Sequence, residues 1–253
     1  MLGLGLATLE AHHGVVPMNV ANVPGVEVSG LLFDAGPVES PVLLRVGHGR
    51  GGRSDRDDPT ALHDVFFRIG AHLGRATTSL EVNSDDVILD DVWAWRADHG
   101  AGVGWTRNTA AHGVVVNGDD VTATGLFVEH YQRDEVVWRG ERGRTIMFQN
   151  EMPYDPPDQA AWQHDGVLGF AAYKVADSVR THEGWGLGSY CFFNVNPTIH
   201  ATHAFEVPVR PGVRLHDILT LSISNQGTID HVVNNFGPPT PSNTTPVDVV
   251  GYP

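Results

Sequence analysis

Two stretches of this chain repeat in a single register. NSDDVILDDVWAWR starts at Asn83 and NGDDVTATGLFVEH at Asn117, so N-x-D-D-V recurs after 34 residues. GLFVEHY from Gly125 and IMFQNEM from Ile146 align Leu126 with Phe148 and Glu129 with Glu151, 22 residues apart. Weaker copies begin at Gly25 (GVEVSGLLFDAG), Leu62 (LHDVFFRIGA) and Val213 (VRLHDILTLSIS). A repeat of this length that keeps Val, Leu and Phe at fixed places cannot bury its apolar face alone, and stacking copies solves the problem. The expectation is all-β: a right-handed parallel β-helix, a single-stranded solenoid of the pectin-lyase type. Its coils should stack at about 4.8 Å. The rival is an antiparallel sandwich, which needs hairpin turns between neighbouring strands. Only Asn117-Gly118 offers such a turn.

The rest of the chain agrees with this reading. Val, Ile, Phe and Thr dominate the apolar runs, which are punctuated by 29 Gly and 16 Pro, and no amphipathic helix of a dozen residues is legible. The 253 residues divide into a β-helix over 1–237, with an inserted loop at 152–166, and a Pro/Thr-rich tail at 238–253. Pro153, Pro156 and Pro157 make the insert stiff. The tail carries the sequon Asn243-Thr244-Thr245 and reads as loosely packed. A net charge of −14 speaks against nucleic acid and anionic membranes as partners. No apolar run reaches 18 residues, so no membrane-spanning helix is expected. The opening MLGLGLATL lacks the basic start and cleavage site of a signal peptide. The single Cys191 excludes an internal disulfide framework.

In a stacked solenoid, equal register means vertical neighbours. Trp95, Glu129 and Glu151 therefore fall in one column on three successive coils. Neighbouring carboxylates raise one pKa and keep an acid protonated near neutral pH, which glycoside hydrolysis requires. The plain alternative is that both glutamates are solvated strand residues. Trp93, Trp95, Trp105, Tyr131, Trp138, Tyr154, Trp162 and Trp185 crowd the same third of the chain. Their flat rings suit the C–H faces of sugars, though core packing is the other use, the one expected of Trp138. Trp93 and Trp95 share a strand face, so both point out or both point in. Asp98 and His99 form a plausible hydrogen-bonded pair. The doublets Asp85-Asp86, Asp90-Asp91 and Asp119-Asp120 could hold calcium, as in a β-helix lyase, but corners use such residues for turns more often. No metal or cofactor is expected, since H-E-x-x-H, Walker and dinucleotide fingerprints are absent from the sequence.

Four strings, DVWAWRADHG (from Asp91), GLFVEHYQ (from Gly125), FQNEMPYDPP (from Phe148) and THEGWGLGSY (from Thr181), resemble the second half of glycoside hydrolase family 55, the β-1,3-glucanases or laminarinases. The resemblance covers essentially the whole chain. It implies two tandem β-helices with the active site in the cleft between them, of which this chain is the second. It implies secretion and inverting hydrolysis of β-1,3-glucan, with exo action favoured over endo. Glu151 matches the general acid, and Glu129 a second carboxylate near the attacking water. Trp95, Asp98 and Tyr154 match glucose-contacting positions, and Trp93 and His99 join them as candidate sugar contacts. A partner half, on a separate chain or segment, is then expected. The alternatives are a glucan-binding half without catalysis and a calcium-dependent β-helix polysaccharide lyase.

Overall fold

The computed structural model describes residues 1–49, 55–70, 73–240 and 245–253. Asn243 and Thr244 of the sequon lie outside the described residues. The chain coils through two large sheets. The first has nine strands, spatially ordered as in the sequence: Leu2–Ala11, Glu27–Ala35, Thr60–Ile69, Val87–Arg96, Thr122–Glu129, Gly143–Glu151, His182–Cys191, Val213–Ser222 and Val247–Tyr252. All neighbours run parallel except the last pair. The second sheet has seven parallel strands, which alternate along the chain with those of the first and run from Met18–Val20 to Phe205–Glu206. This is a parallel β-helix, as the repeats predict, and the antiparallel sandwich falls away. No helix among the described residues is long and apolar enough to cross a membrane.

The repeated motif is the stacking device itself. Asn117 Nδ2 donates to Asn83 Oδ1 at 2.8 Å, one coil below. Asp85 Oδ1 accepts the Asp119 N–H at 2.7 Å, and Asp119 Oδ1 accepts the Glu141 N–H at 2.8 Å. Asp120 pairs with the Arg142 guanidinium. These aspartates are spent on corners. Among the described residues no three side chains gather in a group that could hold a metal ion.

A second regularity lies inside the long strands. Gly30, Asp64, Asp91, Gly125, Met147, Gly186 and Asp217 all have φ between 51° and 67°. Each is skipped by the ladder, while its neighbours on both sides pair in register. One left-handed residue per coil, always at the same level, is a stack of bulges, and it creases the nine-stranded sheet along a line. Beyond the crease the alternation is strict. Val92, Leu126, Phe148, Leu187 and Ile218 point inward and are at most 1% exposed. Each such buried side chain contributes roughly 1.5–3 kcal/mol. Their neighbours Trp93, Phe127 and Gln149 then point outward, followed two residues on by Trp95, Glu129 and Glu151. Trp138 is fully buried in the core.

Two segments differ from the expectation. The tail does not hang free. Val247–Tyr252 adds an antiparallel strand to Val213–Ser222, Val247 and Val249 are buried, and Thr240 is fully enclosed. The alternation in VDVVGY gives the strand an apolar face for the last coil, and an unpaired strand edge is costly to leave open. The loop at 152–166 is stiffened by more than its prolines. Trp162 is 1% exposed within the core, and a two-residue antiparallel pair, Gln163–His164 with Val167–Leu168, closes the segment.

Candidate active site

Three strand ends set the site. Trp95 pairs in register with Glu129, and Glu129 with Glu151, so the column read from the repeats exists as a row of adjacent outward side chains. Trp93 also faces outward and stacks on Trp95 with ring centroids 5.5 Å apart. Its indole N–H donates to Glu129 Oε2 at 2.8 Å. Trp95 Nε1 reaches Asp98 Oδ1 at 3.3 Å, and His99 Nδ1 meets the same oxygen at 2.8 Å. The Tyr154 hydroxyl donates to Glu151 Oε2. The structure thus brings all seven sequence-derived residues into one cluster, with the His99 imidazole at its exposed rim.

Two members escaped the sequence reading. His130 follows Glu129 with φ at 68°, which breaks the strand's alternation and turns the ring inward to 2% exposure. Its Nδ1 lies 3.2 Å from the Met152 carbonyl, so that nitrogen carries the hydrogen when the ring is neutral. Burial pushes its pKa down, against the pull of Asp98 and Glu151. Nε2 then presents a lone pair, 3.6 Å from Glu151 Oε2 and 3.8 Å from Asp98 Oδ1. No sequence signal marks His130, because the turned backbone that sends the ring inward is not written in residue type.

Arg96 is the second. Its fully buried guanidinium donates to both carboxylate oxygens of Asp155, at 2.9 and 2.8 Å. Three further bonds go to the carbonyls of Asn108, His130 and Gly104. The fork thereby ties the 97–109 loop, His130 and the 152–166 loop to one strand end. Asp155 adjoins Tyr154, so the same anchor holds the phenol over Glu151. A bidentate, fully bonded guanidinium is the arrangement in which a buried charge is tolerable. Nothing in the sequence marks Arg96 for burial, since its anionic partner lies 59 residues away.

The electrostatics single out Glu129. Burial, reinforced by the charges of Glu151 and Asp98, raises its pKa to about 7, although the Trp93 and Gln149 hydrogen bonds pull the other way. The rise falls on Glu129, with burial as its chief cause and the neighbouring charges second. Asp98 behaves oppositely. Burial is the largest influence and raises it, but His130 and the His99 hydrogen bond outweigh burial and leave it below the usual carboxylate value. Tyr154 is pushed far up, by burial first and then by Glu151, so it stays a hydrogen-bond donor at any ordinary pH.

Fold and site together define a single-stranded parallel β-helix with its polar chemistry gathered on one outer sheet face. The chain belongs to the LAM55 pectate lyase-like domain family, whose sequence model matches residues 1–151. It is 56% identical over 254 residues to the exo-β-1,3-glucanase of Streptomyces sp. (strain SirexAA-E / ActE), a match that takes in 100% of this chain and 42% of that protein. The solved structure of sacteLam55A from Streptomyces sp. SirexAA-E superposes with a TM-score of 0.97 at 56% identity, over 100% of this chain and 46% of that one. A variant of sacteLam55A in complex with glucose gives 0.98 at 54% identity and the same coverage. The resemblance drawn from the four strings is borne out. The chain spans less than half the length of these relatives.

Proposed function

We propose that this chain forms the acid-bearing wall of an extracellular, inverting, exo-acting β-1,3-glucan hydrolase. The observation that carries the reading is the in-register row of Trp95, Glu129 and Glu151, with Tyr154 closed onto Glu151. The relative's name, exo-β-1,3-glucanase, supplies the substrate class. The indoles of Trp93 and Trp95 offer an apolar platform for a sugar ring. Asp98, His99 and Tyr154 offer polar groups at its rim, and sugar recognition needs both. Glu151 is the general acid. It sits where Tyr154 and the Nε2 lone pair of His130 converge, and it delivers a proton to the departing glycosidic oxygen. Glu129, protonated below about pH 7, is the second carboxylate and holds a proton beside it.

The water-activating base lies elsewhere. Inversion needs acid and base on opposite faces of the sugar, about 6.5–9.5 Å apart. Glu129 and Glu151 are side by side on neighbouring strands of one sheet, so both address the same face. A second β-helix half, on another segment or chain, completes the cleft and supplies the opposite face. The same argument favours a second reading for the isolated chain: it binds glucan through its aromatics and does not turn it over. The test is reducing-sugar release from laminarin, with EDTA as one arm and the anomer of the first product followed by NMR. The reading expects EDTA-insensitive release of α-glucose by the complete protein and little or none by this chain alone. EDTA-sensitive release of an unsaturated product from a uronate-containing polymer, with none from laminarin, would replace it with the lyase.

A further inference from the structure

Around the corner of the coil from the carboxylates lies a cavity of about 400 Å³, lined by Trp105, Glu39, Thr77, Gln132, Arg133 and Ala161 among others. Its volume falls within the range of small-molecule sites. None of the residues assigned to the catalytic row lines it. The chain links the two places: it leaves the first sheet at Trp95–Arg96, passes Asp98 and Trp105, and enters the second sheet at Ala110.

Trp105 is a half-buried indole used on two sides. The Arg96 guanidinium stands over its ring, 5.7 Å from the centroid, and Trp105 also lines the cavity. Gln132 is locked by two backbone bonds, from Nε2 to the Trp105 carbonyl at 2.6 Å and from the Ala110 N–H to Oε1 at 3.2 Å. That wall is therefore preorganised and loses little freedom on binding. The one anion and the one cation at the rim are both partly engaged. Glu39 accepts from Thr77 at 2.8 Å, and Arg133 lies over the Phe170 ring at 4.7 Å. An aromatic wall among balanced, hydrogen-bonding groups suits a neutral, hydroxyl-rich ligand better than an ion.

We propose that this cavity is a second saccharide site, taking a stretch of neutral β-glucan outside the carboxylate row. Only the choice of glucan rests on the proposed function. Such a site holds polymer near the enzyme and matters little for short substrates, because each bound segment raises the effective concentration of the next.

The experiment is native electrophoresis of the complete protein through gels containing laminarin, beside gels containing carboxymethylated glucan. Trp95→Ala removes one of the two indoles of the platform at the catalytic row, and this variant should keep a residual retardation in laminarin. Adding Thr77→Trp, which fills the cavity mouth, or Arg133→Ala should weaken that residual binding by about tenfold or more. Thr77→Trp and Arg133→Ala on their own should leave laminaribiose hydrolysis unchanged. The proposal is overturned if Trp95→Ala alone abolishes retardation, if both cavity variants keep it, or if only the carboxymethylated glucan is retarded. Failure of the catalytic reading would show separately, as no sugar release from laminarin by the unaltered protein, and the gels would still decide the cavity.

Discussion

At the scale of single residues, the site works by placing unlike environments one strand apart. Glu129 lies under Trp93, beside Glu151, and its pKa rises to about 7 because burial penalises its charge. This has a sign for stability. A carboxyl whose folded-state pKa is raised binds its proton more tightly in the native state, so its favourable contribution is complete below the unfolded value near 4.5. It is lost as pH rises through about 7. Glu129→Gln removes that titration. Chemical denaturation should show the variant about 2 kcal/mol more stable than the parent at pH 8, with the difference vanishing near pH 4.5. A constant difference across that range would mean that Glu129 is not buried as described. The glutamate column could be read from the sequence because register in a solenoid is a count of residues. His130 and Arg96 could not, since a turned backbone and a distant Asp155 decide where they point.

At the scale of elements, the crease in the long strands aims the outward side chains. Gly or Asp fills six of the seven creased positions noted above, and Met147 fills the other, with φ at 63°. An L-residue there costs roughly 1–2 kcal/mol, and Met147 is 48% exposed, so its side chain recovers little by burial. Met147→Gly should therefore stabilise the fold by about 1 kcal/mol, read as a rise in the denaturation midpoint at unchanged slope. Destabilisation would show that Met147 does work outside the crease, for instance against a partner surface. The repeats of N-x-D-D-V announced the corners and their Asn ladder. The crease was hidden, because Gly, Asp and Met share no chemistry, only a tolerated or imposed backbone angle. The 152–166 loop was legible as a break in the pattern, whereas its anchoring through Trp162 and Asp155 depends on contacts across coils.

At the scale of the whole molecule, a solenoid must close its ends. At one end Val247–Tyr252 does so by pairing with Val213–Ser222 and burying Val247 and Val249. Removing residues 247–253 strips about two apolar side chains and one strand from the last coil, and should lower the thermal midpoint by about 10 °C and promote association through the exposed edge. An unchanged midpoint would make the tail an ornament. Composition hid this role: Pro, Thr and Ser flank the strand, and only the alternation in VDVVGY betrays it. The column of carboxylates was legible from the register of the repeats, whereas the partner half was legible only through the resemblance, because no residue count within one solenoid reports on a second.

The central claim is that Glu151 gives the proton, and leaving-group dependence tests it most directly. In the complete protein, Glu151→Gln should lose roughly 100- to 10,000-fold of its laminarin turnover, since an amide has no acidic proton. Its turnover of a dinitrophenyl β-glucoside, whose leaving group departs without protonation, should be largely retained, while Glu129→Gln should show no such preference. Near-normal laminarin turnover by Glu151→Gln, or equal losses on both substrates, would contradict the assignment.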